Sequence, residues 1–215
     1  MEEKRIMFKT HNPKINSYAQ RNADNMADVI MMVSLSIQQR WSGVGNMLSS
    51  VRIYKDNSLF LWGNKKRTYE YLTTHKHFIH GSMLAVINSS NLTDHAKAIS
   101  LMKIFLKIPG LNLAKAGFVC QLSAGLVGCM DTHNIKTYGV AAKSLEYNKK
   151  CKTSKSFETN RKKLTTYIEL CHNYGTENLW NSWCSMIATK YPKTFVDNNH
   201  VSELHYTYLT GEYNE

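Results

Sequence analysis

Proline is scarce in this sequence, three residues in 215, and glycine reaches only eleven. That scarcity disfavours a turn-rich β architecture and favours helices. None of the five cysteines (Cys120, Cys129, Cys151, Cys171, Cys184) stands in a C-x-x-C pair, and their number is odd. A disulfide scaffold or a zinc ribbon needs other spacings, so reduced thiols in an intracellular, cytoplasmic protein are expected. A bilayer-spanning run is missing too, because the stretch 26–37 is short and broken by Asp28, Ser34 and Ser36. Met1 to Lys14 is charged and lacks the apolar centre of a signal peptide. These absences point to a soluble chain. Acidic residues are also few, 16 against 27 Lys and Arg, for a formal charge of +11. Such an excess suits a polyanionic partner, nucleic acid before membrane.

What is present is helical spacing. Residues 1–20 are polar and are expected to wrap loosely against the body. Met26, Val29, Ile30, Val33 and Ile37 predict a helix over about 22–40, interrupted after it by Gly43 and Gly45. The stretch 51–63 reads as extended or turn, 65–80, rich in Tyr, Thr and His, takes no assignment, and 83–88 reads as a helical turn or short helix. Thr93 or Asp94 can cap a helix with Ala98, Leu101, Met102 and Phe105 on its apolar face. Pro109-Gly110 stops it. A second helix is expected over 113–122 and a third from Thr132 to about Tyr138, with Gly125 and Gly128 between them.

Residues 141–163 are strongly basic, with only Glu146 and Glu158 as counter-charges, and read as a linker or solvated loop. Three helices are expected near 157–173, 177–190 and 198–209, with Trp180 and Trp183 as a core stripe. The fold class is all-α. The expectation is a single unit over 1–215, a core over 22–140 and C-terminal helices over 157–209 packing with it.

The most informative stretch is Ile108-Pro109-Gly110-Leu111-Asn112-Leu113-Ala114-Lys115-Ala116-Gly117. It reads as a tight corner running into a helix, whose exposed N-terminus can seat a phosphate. Pro109 presets its own φ, Gly110 permits close backbone approach, and Asn112 tolerates the left-handed region. Pro109, Gly110, Leu111 and Asn112, flanked by Lys107 and Lys115, are therefore candidate DNA contacts that position without reading sequence. An ordinary helix–turn–helix corner would look the same. Beyond the helix comes Asp131-Thr132-His133. Breaking an N-glycosidic bond builds positive charge on the sugar, which an ionised carboxylate can stabilise while orienting water. Asp131 is the candidate catalytic residue; it can equally cap the following helix, and the two roles can coexist. His133 is expected to pack or hydrogen-bond locally.

Taken with Val127-Gly128-Cys129-Met130-Asp131-Thr132-His133 and Leu35-Ser36-Ile37-Gln38-Gln39-Arg40, the corner resembles the helix-hairpin-helix DNA glycosylase superfamily, the group of endonuclease III and the adenine-mismatch glycosylase. The resemblance covers roughly residues 26–140. It implies a glycosylase-like helical bundle, double-stranded DNA as partner, and base excision at a damaged, modified or mismatched base. It also implies that Gln38 fills the gap left by an extruded base, with Gln39 and Arg40 against the orphaned strand. The departures narrow the chemistry. Asn112 stands where the family has its second hairpin glycine. Ala114 stands where bifunctional members carry a nucleophilic lysine, so lyase activity is not expected. Lys115, the alternative nucleophile, is one step later and about 100° further round the helix; it would need burial to lower its pKa.

Cys171 and Cys184 cannot make the four-cysteine loop, so no iron–sulfur cluster or other cofactor is expected. A monomer is expected. His75, His77 and His80 invite a metal reading, but no further ligand or orienting partner is evident, and no metal is expected; a DNA-facing surface cluster is the alternative. Tyr138 and Trp41 are candidates to line a base pocket. Two other functions stay open: a non-catalytic DNA binder that kept the hairpin, and a transferase that builds hypermodified thymine, as some phage-encoded relatives are implicated in doing.

Overall fold

The computed structural model describes residues 12–37, 39–53, 61–193 and 197–211. Among them there are ten α-helices and no strand, so the protein is all-α. The helices are α1 (Pro13–Arg21), α2 (Ala23–Leu35), α3 (Val44–Ile53), α4 (Gly63–Ile87), α5 (Asp94–Leu106), α6 (Leu113–Ala124), α7 (Thr132–Thr137), α8 (Ser154–Tyr174), α9 (Thr176–Lys190) and α10 (Asn198–Thr210).

Local chemistry sets most helix starts. Asn12, Asn22, Thr93, Asn112, Asp131, Thr153 and Asp197 each accept a backbone N–H in the first turn of the helix that follows. Each cap satisfies a donor that the helix itself leaves unpaired, a contribution of about 1 kcal/mol.

Helix α2 lies at the centre and packs on α1, α4, α6, α3 and α10, which explains why Val29, Ile30, Met32, Val33 and Leu35 have no exposed surface. A contiguous apolar core runs from Ile15 to Leu209, so the C-terminal helices share it with the earlier ones. Trp180 and Trp183 are buried in it as expected, at 3% and 6% exposure.

Several expectations need correction. The segment read as loosely wrapped contains α1, whose Ile15, Asn16, Tyr18 and Ala19 are buried; Asn16 Nδ2 donates to the carbonyls of Gln121 and Leu122. Gly45 does not break a helix but lies inside α3, after a short 3-10 turn over Trp41–Gly43. The stretches 65–80 and 83–87 belong to a single helix of 25 residues, with Asn88 as its C-cap. Its buried positions are Lys65, Thr68, Leu72, Ile79 and Met83, helical in spacing but led by two polar residues that hide the period. The segment read as extended or turn is in α3 up to Ile53, and 54–60 lie outside the described residues.

Candidate functional site

The Pro-Gly corner is held from two sides. Ile108 and Leu111 are fully buried anchors. Thr68 Oγ1, from the first turns of α4, donates to Pro109 O at 2.7 Å, and Lys149 Nζ donates to Ile108 O at 2.7 Å. Although much of the Lys149 residue is exposed, loss of solvent around its ammonium lowers its pKa to about 8. Gly110 has φ +86°, and a Cβ there would lie 2.8 Å from Thr68 Oγ1 and 3.0 Å from Asn64 O, so only glycine fits.

Asn112 departs from expectation. Its φ is −95°, extended rather than left-handed, and its side chain accepts from Lys115 N at 3.0 Å as the cap of α6. The requirement for a cap, not for a reversal, decides that residue. The side chain of Leu111 is wholly buried, so only its backbone can face a ligand.

After α6 the chain reverses at Gly125 and is clamped from Gly128 to Met130, just before Asp131. Gln121, 5% exposed, accepts from Cys129 N at 3.0 Å and donates to Thr176 O at 2.9 Å. The Tyr167 hydroxyl accepts from Met130 N and donates to Gly128 O, both at 2.9 Å. Burial pushes that hydroxyl's pKa well up, so it stays protonated and able to donate. Asn134 Nδ2 donates to Cys129 O at 2.7 Å and to Leu179 O at 3.0 Å. Gly117 makes room for the clamp, since a Cβ there would lie 2.3 Å from Tyr167 Oη and 2.6 Å from Gly128 O.

Asp131 emerges from this clamp at the start of α7. Its Oδ1 accepts from His133 N at 3.0 Å and Asn134 N at 3.1 Å, and its other oxygen has no hydrogen-bond partner among the described residues. The half-buried carboxylate lines a cleft of about 610 Å³ together with Asn112 and Ala114 of the corner. Tyr167 contributes to the lining from within the core.

The remaining wall was not foreseen. Glu146, Tyr147, Asn148 and Lys163 line the same cleft, from the stretch read as a linker or solvated loop. A 3-10 turn over Ala142–Leu145 buries Leu145 against the body. Asn160 Nδ2 donates to Asn148 O at 2.7 Å while Asn148 N donates to Asn160 Oδ1 at 3.1 Å, and Lys163 Nζ donates to Glu146 O. Nothing in the local sequence signals this return, because the pairing residues are twelve or more apart and ordinary in type.

Lys115 points elsewhere. Its Nζ donates to Ser36 Oγ at 3.2 Å and lies 5.8 Å from the Phe118 ring centroid, and the residue is not part of the cleft lining, whereas its neighbour Ala114 is. The helical rotation between the two positions accounts for the difference. The same contact joins the start of α6 to the end of α2, which leads into Gln39 and Arg40, both exposed. Gln38 lies outside the described residues. Lys107 is exposed beside the corner.

Trp41 does not line the cleft; it is 2% exposed and packs edge-on to Trp183. Tyr138 packs on Tyr174 instead. His133 Nε2 lies 3.1 Å from Ser182 O and Oγ across on α9, and 3.5 Å from Thr137 Oγ1 within its own helix, so it has both a local and a distant contact. The three histidines of α4 diverge: His75 stacks on Tyr71 at 4.1 Å, and His80 Nε2 meets Gln20 O at 3.0 Å. Among the described residues no three His, Cys, Asp or Glu side chains gather as metal ligands, and no helix is long and apolar enough to cross a membrane. All five cysteines are free, and burial raises the pKa of Cys120, Cys129, Cys171 and Cys184.

Compared with protein-family models, curated proteins and solved structures, the chain matches none.

Proposed function

We propose that this protein is a monofunctional DNA glycosylase that removes a modified, damaged or mismatched base, with Asp131 as its catalytic carboxylate. The observation that supports the reading is the shared cleft, where the corner residues Asn112 and Ala114 meet an Asp131 that keeps one oxygen unpaired among the described residues. Backbone amides at the corner and the start of α6, with Lys107 nearby, hold a phosphate. The cleft's volume of about 610 Å³ is in the range of nucleotide-sized ligands. A base turned out of the stack enters it. As the C1′–N bond breaks, its electron pair leaves with the base, and the Asp131 carboxylate stabilises the cationic sugar. Water then adds at C1′ and gives its proton to the carboxylate.

The experiment is a panel of duplexes carrying uracil, oxidised, alkylated, mismatched and hypermodified bases, scored for alkali-labile abasic sites. Asp131→Asn is expected to cut release by at least about a hundredfold while binding and folding persist, because Asn also caps a helix. Release that survives the substitution would overturn the assignment. Duplex binding without release from any substrate would leave a non-catalytic binder.

A further inference from the structure

We infer that Trp62, with Lys65, Lys66 and Arg67 behind it, forms a stacking platform that takes an unpaired nucleobase beside the hairpin. The inference rests on reading this face as a nucleic-acid surface and adds a contact that neither the corner nor Asp131 supplies.

Trp62 is the residue before α4 and is 61% exposed, although tryptophan is among the side chains that gain most from burial. Trp41, Trp180 and Trp183 are 2%, 3% and 6% exposed. One indole of four is therefore left in solvent, and it stands among cations. Lys65 Nζ lies 5.2 Å from the Trp62 ring centroid, a cation–π contact that steadies the ring. Lys66 is one helical turn on, paired only loosely with Glu70 at 4.0 Å, and exposed Arg67 has no ion-pair partner among the described residues.

The position matters as much as the composition. The first two turns of α4, which follow Trp62, also brace the corner, through Thr68 to Pro109 O and through the tight approach of Gly110 to Asn64 O. A strand whose phosphate sits at the corner therefore passes close to the indole. An exposed aromatic ring among cationic side chains is the combination that holds single-stranded nucleic acid, since every base offers a face to stack and every phosphate a charge. Among the described residues the side chains that follow this ring on α4 are cationic, Lys65, Lys66 and Arg67, rather than apolar. The fit is to a nucleobase on a polyanionic strand.

The test uses the full chain, short oligothymidylate, and a base-free deoxyribose-phosphate strand of equal length and charge. Acrylamide quenching isolates Trp62, because the other three tryptophans are buried. Oligothymidylate is expected to protect the exposed emission, and Trp62→Ala to weaken its binding roughly 5- to 100-fold. Trp62→Phe should restore most of the affinity. Binding of the base-free strand should not change with any substitution at this residue. Trp62→Ala binding both strands like the parent, or Trp62 staying open to acrylamide at saturation, would overturn the platform and leave the hairpin's grip standing. No binding to any strand or duplex would overturn both readings. Abasic-site release by the parent and by Asp131→Asn judges the glycosylase chemistry separately.

Discussion

Two buried polar regions of this protein differ in how fully their hydrogen bonds are matched. Beneath Asp131, Gln121 and Tyr167 match donor to acceptor across four backbone groups, and Asn134 uses both amide hydrogens while its Oδ1 has no partner among the described residues. Around His205 the surroundings are rings: Trp41, Trp180 and Trp183 have centroids 4.2, 4.8 and 5.3 Å away, with Phe118 at 6.1 Å. His205 Nδ1 meets Val201 O at 2.7 Å and must carry the proton there, which leaves Nε2 as a bare acceptor. That Nε2 and Trp41 Nε1 are both buried without a hydrogen-bond partner among the described residues. The first region fixes a loop in one conformation, because a buried polar group that loses its partner is penalised. The second tolerates unpaired atoms within an apolar cluster and leaves the core sensitive to protons.

The comparison can be broken most severely at Gly117. Gly117→Ala places a methyl against Tyr167 Oη and Gly128 O, and should lower unfolding free energy by about 3 kcal/mol in urea titrations. Loss of abasic-site release should accompany it as the Asp131 loop shifts. Tyr167→Phe removes the clamp without adding bulk. It leaves Met130 N without its partner and Gly128 O with only the Cys171 thiol, and should lower stability by about 2 kcal/mol. A change under about half a kcal/mol would show that the network beneath Asp131 is not a clamp.

The aromatic region predicts a pH effect of definite sign. Burial lowers the pKa of His205 from 6.5 to about 3, so the folded state resists a proton that the unfolded chain accepts. The contribution is fully present above pH 6.5 and is lost as pH falls toward 3. The loss should amount to roughly 2 kcal/mol by pH 5. His172, whose pKa burial also lowers, adds in the same direction. Thermal melts of His205→Phe across this range should be flatter than those of the parent; equal slopes would remove His205 as the cause. The smallest effect belongs to Asn112→Ala, which deletes the cap of α6 and should cost about 1 kcal/mol, read by calorimetry. Asn112→Asp should recover most of it.

The sequence by itself determined the helical class, most helix starts and the Pro-Gly corner. These follow from apolar spacing, from cap side chains within three residues of their donors, and from a proline that cannot continue a helix. It also put Asp131 at the head of α7, where the carboxylate does cap the helix. Tertiary structure alone decided the rest. That 141–163 returns to wall a cleft over Asp131, that Lys115 turns to Ser36, and that Trp62 is left outside while three other indoles are buried depend on surfaces brought together from distant parts of the chain. Local spacing records which face of a helix is apolar; which partner covers it is settled only when the whole core closes.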